Sequence, residues 1–555
     1  MRKILIIFFF SSLLQSQSID INNDFNYSLI KKSILLGEIN PNISLNIRPI
    51  QTKSISNLFE NKFKTLYSNN TIQIKSLGID YFVEYNSHHP YNRNNGTMIP
   101  NRGYQHIISP GLYFKIGPLS IQLKPEHHFA ENRNFDVFWD GHDPYVWSKR
   151  YKLWNKIDMP ERFGNKSHNK TTFGQSSIKF NWNKISLGIS NENIWWGPAL
   201  RNSIMMSNNA EGFKHITFNS NEPIITPFGN FEWQLISGRL ENSGFEPTGS
   251  DYEYAGTRLY VPKINQRGDL DDWRYLQGLI ISYSPKWIDG LSIGFIRWVQ
   301  MYSALVEGRY PWLDGSPTYF PVFQNLFRKN DKFENYEAQT NQAAGLFLNW
   351  IWRDSNAQFY LEFHHNDSKQ NLRDLLLDSD HSRAATIGIQ KVFKLNNSDF
   401  IFHWEWTQME QNASRLVRNA GSWYEHSWVF DGYTNKGEVL GSSIGPGSNS
   451  HYLSISKINK NEKIGLGIEV VDQDNDFYHE AFASAKDQRR YWKDFNLHID
   501  LNKSFKRIEI SSKLVFIRSL NYQWEIDDTV GPYYQPGRDV NNFHVNLKIS
   551  YFGFW

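Results

Sequence analysis

Two stretches of the sequence combine aromatic rings with arginine and amide side chains, a set of groups that is compatible with saccharide binding. Sugar rings expose apolar C–H faces that stack on Trp and Tyr, while their hydroxyls and carboxylates need amide and guanidinium partners. The stretches span residues 193–213 and 408–449. They supply the candidate binding residues Trp195, Trp196, Arg201, Asn208, Asn209, Arg415, Arg418, Trp423, Tyr424, His426, Trp428 and Tyr433. Taken one at a time, the aromatic residues are better explained by loop packing or an interfacial girdle.

Histidine doublets and an acidic stretch are weaker candidates for a metal site. Residues 127–128 and 364–365 are His-His pairs, and neighbours on a strand point to opposite faces, so each pair offers one ligand per side. The stretch Asp472, Asp474 and Asp476 is similar to a calcium loop, but Phe477 stands where that motif needs Gly and no Glu closes it. We expect no metal or cofactor, and a solvated acidic loop at 472–476.

The elements that must position these residues are strands with one apolar and one polar face. In one, Phe400, Phe402, Trp404 and Trp406 alternate with Ile401, His403, Glu405 and Thr407; in another, Phe495, Leu497, Ile499 and Leu501 alternate with Asn496, His498, Asp500 and Asn502. The final stretch, FHVNLKISYFGFW from 543 to 555, follows the same period of two. Its length and aromatic end are typical of a membrane-spanning barrel strand.

The connectors between the predicted strands alternate between short turns and loops of about twenty to forty residues, a pattern that compact soluble domains rarely carry. About eighteen strands are predicted, near 72–85, 108–116, 117–125, 172–182, 184–190, 214–226, 230–240, 276–284, 290–301, 342–352, 356–364, 384–393, 398–407, 450–457, 463–471, 493–502, 507–518 and 541–555. The fold class is therefore all-β, an antiparallel transmembrane barrel with periplasmic turns and long extracellular loops.

Composition agrees with a barrel. Aromatic residues make up 16% of the chain, with 20 Trp and 28 Tyr, yet the mean hydropathy is −0.55. A high aromatic content and a negative mean hydropathy are compatible in a barrel, because lipid-facing and water-facing positions alternate along each strand. The net charge of +3 gives no reason to expect nucleic acid as a partner, and the absence of Cys excludes disulfides and thiolate chemistry.

The N-terminal residues have a different pattern. Residues 1–18 are predicted to be a signal peptide, with a charged start, an apolar core and small residues at its end. Residues 19–66 are predicted to form a small periplasmic helical element, because Leu29, Ile30, Ile34 and Leu35, and then Ile55, Leu58 and Phe59, recur at helical spacing; a disordered leader is the alternative. The barrel is expected over 67–555.

One loop carries a resemblance to a known family. Trp195-Trp196-Gly197-Pro198, followed by Ser203-Ile204-Met205-Met206, resembles the WWGPG-type loop of the Wzi capsule assembly proteins, with Ala199 in place of the family's second Gly. Weaker similarities follow in the family's order at 291–301, 387–390, 403–406 and 431–449. The resemblance covers most of the chain from about residue 29.

The resemblance implies an eighteen-stranded outer-membrane barrel whose lumen is obstructed by loops and which binds capsular or extracellular polysaccharide, as a lectin does, to aid capsule assembly. It implies no catalysis. The expected partners are the polysaccharide, outer-membrane lipid and, through the C-terminal strand, the barrel-insertion machinery. A porin-type channel or transporter has a compatible strand number. A hydrolase is the third alternative, but the predicted lumenal pair Glu405 and Asp500 is usual for a charged barrel wall.

Overall fold

The computed structural model describes most of the chain. The residues it describes are 18–19, 21, 24–39, 44–51, 63–267, 273–307, 319–323, 340–366, 371–412, 415, 417–418, 420–482, 488–526 and 537–553. The predicted signal peptide, apart from residue 18, the second apolar cluster of the helical element, at 55–59, and the last two residues of the chain lie outside this part.

Eighteen antiparallel strands form a closed barrel, which confirms the predicted fold class. In chain order they are β1 Ile72–Asn86, β2 Gly103–Ile116, β3 Leu119–Leu123 with Glu126–Ala130, β4 His168–Thr172 with Ser177–Trp182, β5 Ile185–Ser190, β6 His215–Ser220 with Ile224–Thr226, β7 Gly229–Glu241, β8 Trp273–Pro285, β9 Leu291–Tyr302, β10 Asn341–Trp352, β11 Ala357–Asn366, β12 Arg383–Leu395, β13 Ser398–Gln408, β14 Asn449–Ile458, β15 Glu462–Asp472, β16 Lys493–Ser504, β17 Ile508–Leu520 and β18 Val540–Tyr551. Each pairs with its neighbours in sequence, and β18 closes the ring on β1, with His544 opposite Asn86 and Tyr551 opposite Ile79. A short strand, Lys64–Ser68, pairs with the start of β1.

Every predicted strand is present, because a period of two over ten residues is a strong local signal. Boundaries were less accurate: β2 begins at Gly103 instead of 108, and β3 extends to Ala130 instead of 125. These extensions pair with one another, with Gln105 opposite Ala130, in the part of β3 that follows its interruption.

The two faces of the strands behave as predicted. On β13, His403 and Glu405 are buried inside the barrel, while Trp404 and Trp406 face outward. Outward-facing apolar side chains are left exposed all around the ring, including Phe180, Ile189, Ile216, Leu466 and Phe516. A continuous apolar band of this kind is the lipid-facing surface of a membrane barrel.

The predicted N-terminal helix is present as α1, Asp24–Leu35. It lies inside the end of the barrel where the short turns are, and there Phe25, Ile30 and Ile34 pack with Ile351 and Val392 near the ends of β10 and β12. Lys32 Nζ pairs with Asp399 Oδ2 of the wall at 2.5 Å. The helix therefore closes part of the lumen at the short-turn end.

The long connectors fold over and into the opposite end of the barrel. They carry the helices α2 Pro144–Trp154, α3 Lys263–Arg267, α4 Ser303–Val306, α5 Leu372–Leu377 and α6 Asn475–Ala481, the 3-10 turns Pro321–Phe323, Gln488–Arg490 and Tyr522–Trp524, and the small ladders Glu253–Tyr254 with Thr257–Arg258 and Thr434–Asn435 with Glu438–Val439. Within the described residues, no helix has both the length and the hydropathy needed to cross a bilayer. The largest hydrophobic cluster lies among these loops and the inner wall.

Candidate functional site

The Trp195-Trp196 loop runs down into the lumen and forms a short ladder with the N-terminal segment. Trp195 and Trp196 pair antiparallel with Arg48 and Ile47, and the Gly197 N–H donates to Asn46 O at 2.8 Å. Trp196 also donates its backbone N–H to Met206 O at 3.1 Å. The turn is thus held by backbone hydrogen bonds on both of its sides.

Two carboxylates of the barrel wall bind the residues after this turn. Glu405 accepts the backbone N–H groups of Leu200 and Arg201 at 2.9 and 3.1 Å on Oε2, and that of Asn202 at 2.7 Å on Oε1. Glu362 accepts the Ala199 N–H at 2.9 Å. Hydrogen bonds to an ionised acceptor are about twice as strong as neutral ones. The wall therefore fixes the path of the loop backbone.

Gly197 is required at this turn for two reasons. Its φ of +100° lies in a region that side chains disfavour, and a Cβ there would collide with the Glu362 carboxylate. Ala199, where the sequence departs from the family pattern, is fully buried and accepts from Trp195 Nε1 at 2.9 Å and from Arg48 Nη2 at 2.8 Å. It has no positive φ, so this backbone accommodates an L-residue there.

The second predicted stretch packs directly on the first. Tyr424 Oη donates to Ile204 O at 2.9 Å, and Tyr433 Oη donates to Met205 O at 2.8 Å. The Tyr433 ring stacks on Trp298 of β9 with the centroids 3.8 Å apart and the planes 3° from parallel. We call residues 87–102, 193–213 and 420–448 together the plug, since these three loops contact one another inside the barrel.

Amide hydrogen bonds join plug loop 193–213 to plug loop 87–102, and an ion pair joins loop 193–213 to the barrel wall. Asn208 Nδ2 donates to Asn94 O at 2.7 Å, and Asn94 Nδ2 donates to Arg201 O at 2.8 Å. Arg201 binds Glu469 of β15 with two parallel bonds of 2.7 and 2.6 Å. Glu469 is almost fully buried, so this bidentate pair anchors the plug to the wall.

Most of the predicted saccharide contacts are therefore plug residues with little exposed surface. The residues buried in this way are Trp195, Trp196, Asn208, Asn209, Trp423, Tyr424 and Tyr433, while Arg201 is largely committed to Glu469. Trp428 is 54% exposed on the outer loops. Their role in saccharide binding stays a prediction. Sequence reasoning missed Glu362 and Arg48, whose only local signal was a polar residue on an inward-facing position.

The remaining predicted arginines bind acidic residues of neighbouring loops. Arg415 Nη1 lies 3.0 Å from Asp476 Oδ1, and Arg418 Nη1 lies 2.8 Å from Asp374 Oδ1 of α5. The expectation of a solvated acidic loop at 472–476 is wrong for Asp474 and Asp476, which are both buried. Asp474 caps α6 by accepting the Phe477 N–H at 3.0 Å, and burial raises the pKa of Asp476 to about 6.

The histidine doublets point to opposite faces, as predicted. His128 and His364 are fully buried inside the barrel, whereas His127 and His365 lie on the outer face. Among the described residues, no group of three or more His, Asp or Glu side chains is arranged to hold a metal ion. Glu405 and Asp500 both face the lumen, but Glu405 is committed to the plug backbone.

Five of the long loops and their strand ends enclose a crevice of about 230 Å³, which sequence reasoning did not find. The rings of Phe163 and Phe245 form one side, with centroids 5.4 Å apart. Opposite them, Glu211 holds Lys170 and Lys436, each at 2.7 Å. The other lining groups are Thr97, Ile99, His168, Glu241, Asn242, Ser243 and Glu438.

The crevice combines aromatic faces with hydrogen-bonding groups of both signs. Burial raises the pKa of Glu438 well above its usual range, and the nearby Glu211 adds to the shift. Lys436 and Glu241 are partly exposed, so the polar side of the crevice is in contact with solvent. Its size is below the roughly 300–1,000 Å³ of pockets for drug-sized ligands. A single sugar ring is the kind of group that such a crevice suits.

Comparison with known proteins gives one family. The family model described as capsule assembly protein Wzi matches residues 108–502. No curated protein matches the sequence at a significant level. Among solved structures, the chain is similar to Wzi of Escherichia coli, described as an outer membrane protein involved in group 1 capsule assembly and a carbohydrate-binding β-barrel, with a TM-score of 0.58, 11% identity, and 97% of this chain and 100% of that chain covered.

Weaker similarity extends to other barrels. OccAB2 of Acinetobacter baumannii has a TM-score of 0.39 at 11% identity, with 86% of this chain and 98% of that chain covered. OprD of Pseudomonas aeruginosa has a TM-score of 0.38 at 9% identity, with 85% of this chain and 92% of that chain covered.

Proposed function

This chain belongs to the capsule assembly protein Wzi family, and from that premise we propose that it is a non-enzymatic outer-membrane barrel whose long-loop face binds capsular or extracellular polysaccharide and holds it at the cell surface. The closed barrel with an apolar outer band is the fold of an outer-membrane protein. The solved Escherichia coli relative is described as binding carbohydrate, which supports the same activity for this chain.

The crevice on the long-loop side is the observation that carries the proposal. Phe163 and Phe245 offer apolar faces, and Glu211, Lys436 and Ser243 offer acceptors and donors around them. Sugar recognition needs both kinds of group within one ring's width, and a charged Lys beside the rings also suits a uronate carboxylate. We assign a sugar residue of the polymer to this crevice.

The plug supports a binding role over transport. Three loops obstruct the lumen, and one of them, 193–213, is fastened to the barrel wall by Glu405, by Glu362 and by the Arg201–Glu469 pair. The other two loops are hydrogen-bonded to it, which favours a plug that stays in place. A diffusion channel instead needs a continuous aqueous lumen.

The test measures binding and conductance on one preparation. Purified protein is mixed with the cell's own capsular polysaccharide in a calorimeter and is also reconstituted in planar bilayers. We expect saturable binding without conductance. Phe245→Ala removes half of the aromatic side, and loss of a buried aromatic contact of about 1–2 kcal/mol weakens binding about tenfold.

The matched control is Phe228→Ala, since Phe228 is an exposed aromatic residue in a short turn at the other end of the barrel. Its binding should equal that of the unaltered protein. Stable conductance together with no polysaccharide binding would support the porin alternative and refute the proposal. Equal binding by the Phe245 and Phe228 variants would refute the crevice as the site.

A further inference from the structure

A second cavity, of about 240 Å³, lies in the lumen between the plug and α1. Asn94, Asn208 and Arg201 of the plug line one end of it, and Asp24 and Ser28 of α1 line the other. The wall between them comes from β12 to β18 and β1. The Asp24 side chain is 75% exposed, so that end of the cavity is open to solvent. It is separated from the outer crevice by the plug.

Positive charge dominates this cavity. Lys and Arg outnumber Asp and Glu among its lining residues by seven to three. Three of the cations have carboxylate partners: Arg201 binds Glu469 at 2.6 Å, Lys513 lies 3.5 Å from Asp24, and Lys548 lies 3.6 Å from Asp80. The other four have no carboxylate within ion-pair distance among the described residues.

These four cations are satisfied to different degrees. Arg48 donates to carbonyl oxygens, including Ala199 O at 2.8 Å, and Arg93 donates to Ser443 O at 2.7 Å. Among the described residues, the Lys463 ammonium group donates only to the Ser28 hydroxyl, at 3.1 Å. Lys31 is 5% exposed and lines the cavity, and its ammonium group makes no hydrogen bond or ion pair within the described part of the chain.

An ammonium group that is buried without an anion is costly, and proteins meet this cost by pairing the group, by lowering its pKa or by placing it at a binding site. Burial and the nearby Arg48 lower the pKa of Lys31 to about 7. The other unpaired cations of the cavity add to the cost, whereas an anion in the cavity would offset it. The same helix packs Phe25, Ile30 and Ile34 in a hydrophobic cluster, so Lys31 is held where it lines the cavity.

We propose that the lumenal cavity binds an anionic saccharide, held through its carboxylate or phosphate by Lys31 and Lys463. The remaining lining suits the sugar part of such a ligand: Ser456, Ser511 and Ser512 offer hydroxyls, Asn502 offers an amide, and Tyr452 offers a ring. This site lies on the α1 side of the plug. It does not depend on saccharide binding at the outer crevice.

The test uses the full-length protein in detergent at low ionic strength. Binding of galacturonate, inorganic phosphate and the neutral sugar galactose is measured by calorimetry, since a cavity of this size suits one sugar ring. We expect galacturonate to bind and galactose not to bind. Lys31→Gln and Lys463→Gln should each weaken galacturonate binding about tenfold, which is the effect of losing one charge-assisted hydrogen bond.

Lys503→Gln is the matched control, since it removes the same charge from an exposed residue that pairs with Glu462 near a short turn. Its binding should be unchanged. If Lys31→Gln fails to fold, as judged by heat-modifiable electrophoretic mobility, Lys31→Arg keeps the charge and should retain binding. Phosphate that binds as tightly as galacturonate identifies a phosphate-bearing ligand, whereas weak phosphate binding identifies a uronate.

Equal binding of galactose and galacturonate would overturn the proposal. So would variants of Lys31 and Lys463 that bind galacturonate as the Lys503 variant does. The Phe245→Ala variant should bind galacturonate in the lumenal cavity normally, because the plug lies between the two sites. Failure of the cavity and failure of the outer crevice are therefore distinguishable.

Discussion

At the scale of single residues, the barrel wall uses buried carboxylates as anchors for loop backbone. Glu405 is fully buried, yet it accepts three backbone N–H groups and the Tyr360 hydroxyl at 2.7 Å. A buried carboxylate is costly unless its acceptor sites are filled. The wall and the plug therefore satisfy each other's buried polar groups.

Among the predicted binding residues, a buried tryptophan and an exposed one should respond differently to substitution. Trp196 is fully buried, donates Nε1 to Gln234 Oε1 at 2.8 Å, and packs where a Cβ on Gly278 would lie 2.6 Å from its ring. Trp196→Ala should lower the free energy of unfolding by about 3–5 kcal/mol, because it leaves a cavity and an unpaired amide. Chemical unfolding in detergent measures this change.

Trp428→Ala is the comparison, since its ring is 54% exposed. Surface substitutions usually change stability by less than about 0.5 kcal/mol. If Trp196→Ala leaves stability unaltered and only reduces polysaccharide binding, then Trp196 is a saccharide contact and its assignment as a structural residue is wrong.

At the scale of elements, the long loops behave as a folded domain inside the barrel. The loop 131–167 and the loop 242–272 meet where Asp158 accepts the Ser243 N–H and Oγ–H at 2.6 and 2.7 Å. Asp476 of α6 accepts the Gln411 N–H at 2.9 Å and the Ser422 hydroxyl at 2.7 Å. Each carboxylate joins two different loops.

These loop carboxylates should make loop stability dependent on pH. Burial, with Asp431 nearby, raises the pKa of Asp158 to about 6, and burial raises the pKa of Asp476 to about 6. A carboxyl group with a raised folded-state pKa stabilises the fold most below its ordinary value of 3.8, and this contribution is lost as the pH rises through about 6. We expect the loops to be about 1 kcal/mol per group more stable at pH 5 than at pH 7.5.

Hydrogen exchange of residues 242–245 and 420–426, corrected for the intrinsic rate at each pH, measures this difference. The amide of the Asp158→Asn variant cannot ionise, so this variant should reduce the difference in protection between the two pH values at residues 242–245. Higher protection at pH 7.5 than at pH 5 in the unaltered protein would contradict the assigned direction of the pKa shifts.

At the scale of the whole molecule, closure of the ring decides which residues meet lipid. β18 pairs with both β17 and β1, so every long strand has two neighbours and no edge remains open in the barrel sheet. Its odd residues, such as Val545 and Leu547, face outward, and Asn546 and Lys548 line the lumenal cavity. One strand therefore contributes both to the lipid surface and to the proposed anion site.

A charge should be tolerated on one face of β18 and not on the other. Leu547→Arg places a cation in the lipid band, which costs about 2–4 kcal/mol near the membrane midplane. Asn546→Asp places a charge in the lumen, opposite Lys513, and should cost much less. Urea unfolding in lipid vesicles measures both values. Equal destabilisation by the two variants would show that the assigned faces of the strand are wrong.

The sequence by itself determined the barrel, because the two faces of a strand alternate within a few residues of one another. Phe495 to Asn502 and Phe400 to Thr407 identify their inner and outer faces without any knowledge of neighbouring strands. The motif at Trp195 to Pro198 likewise identified the loop that matters most. Local periodicity and a local motif are properties that a sequence displays directly.

Only the tertiary structure decided what those residues do. Glu405 is separated from Leu200 by some two hundred positions, and Arg201 from Glu469 by more, so no local pattern indicates that they pair. The same holds for Phe163 with Phe245 in the outer crevice, and for Lys31 with Lys463 around the lumenal cavity. A closed barrel brings loops and strands from all parts of the chain into one lumen. The sites therefore depend on closure of the ring. The alternation of apolar and polar residues predicts that closure, but it does not specify which residues meet inside the ring.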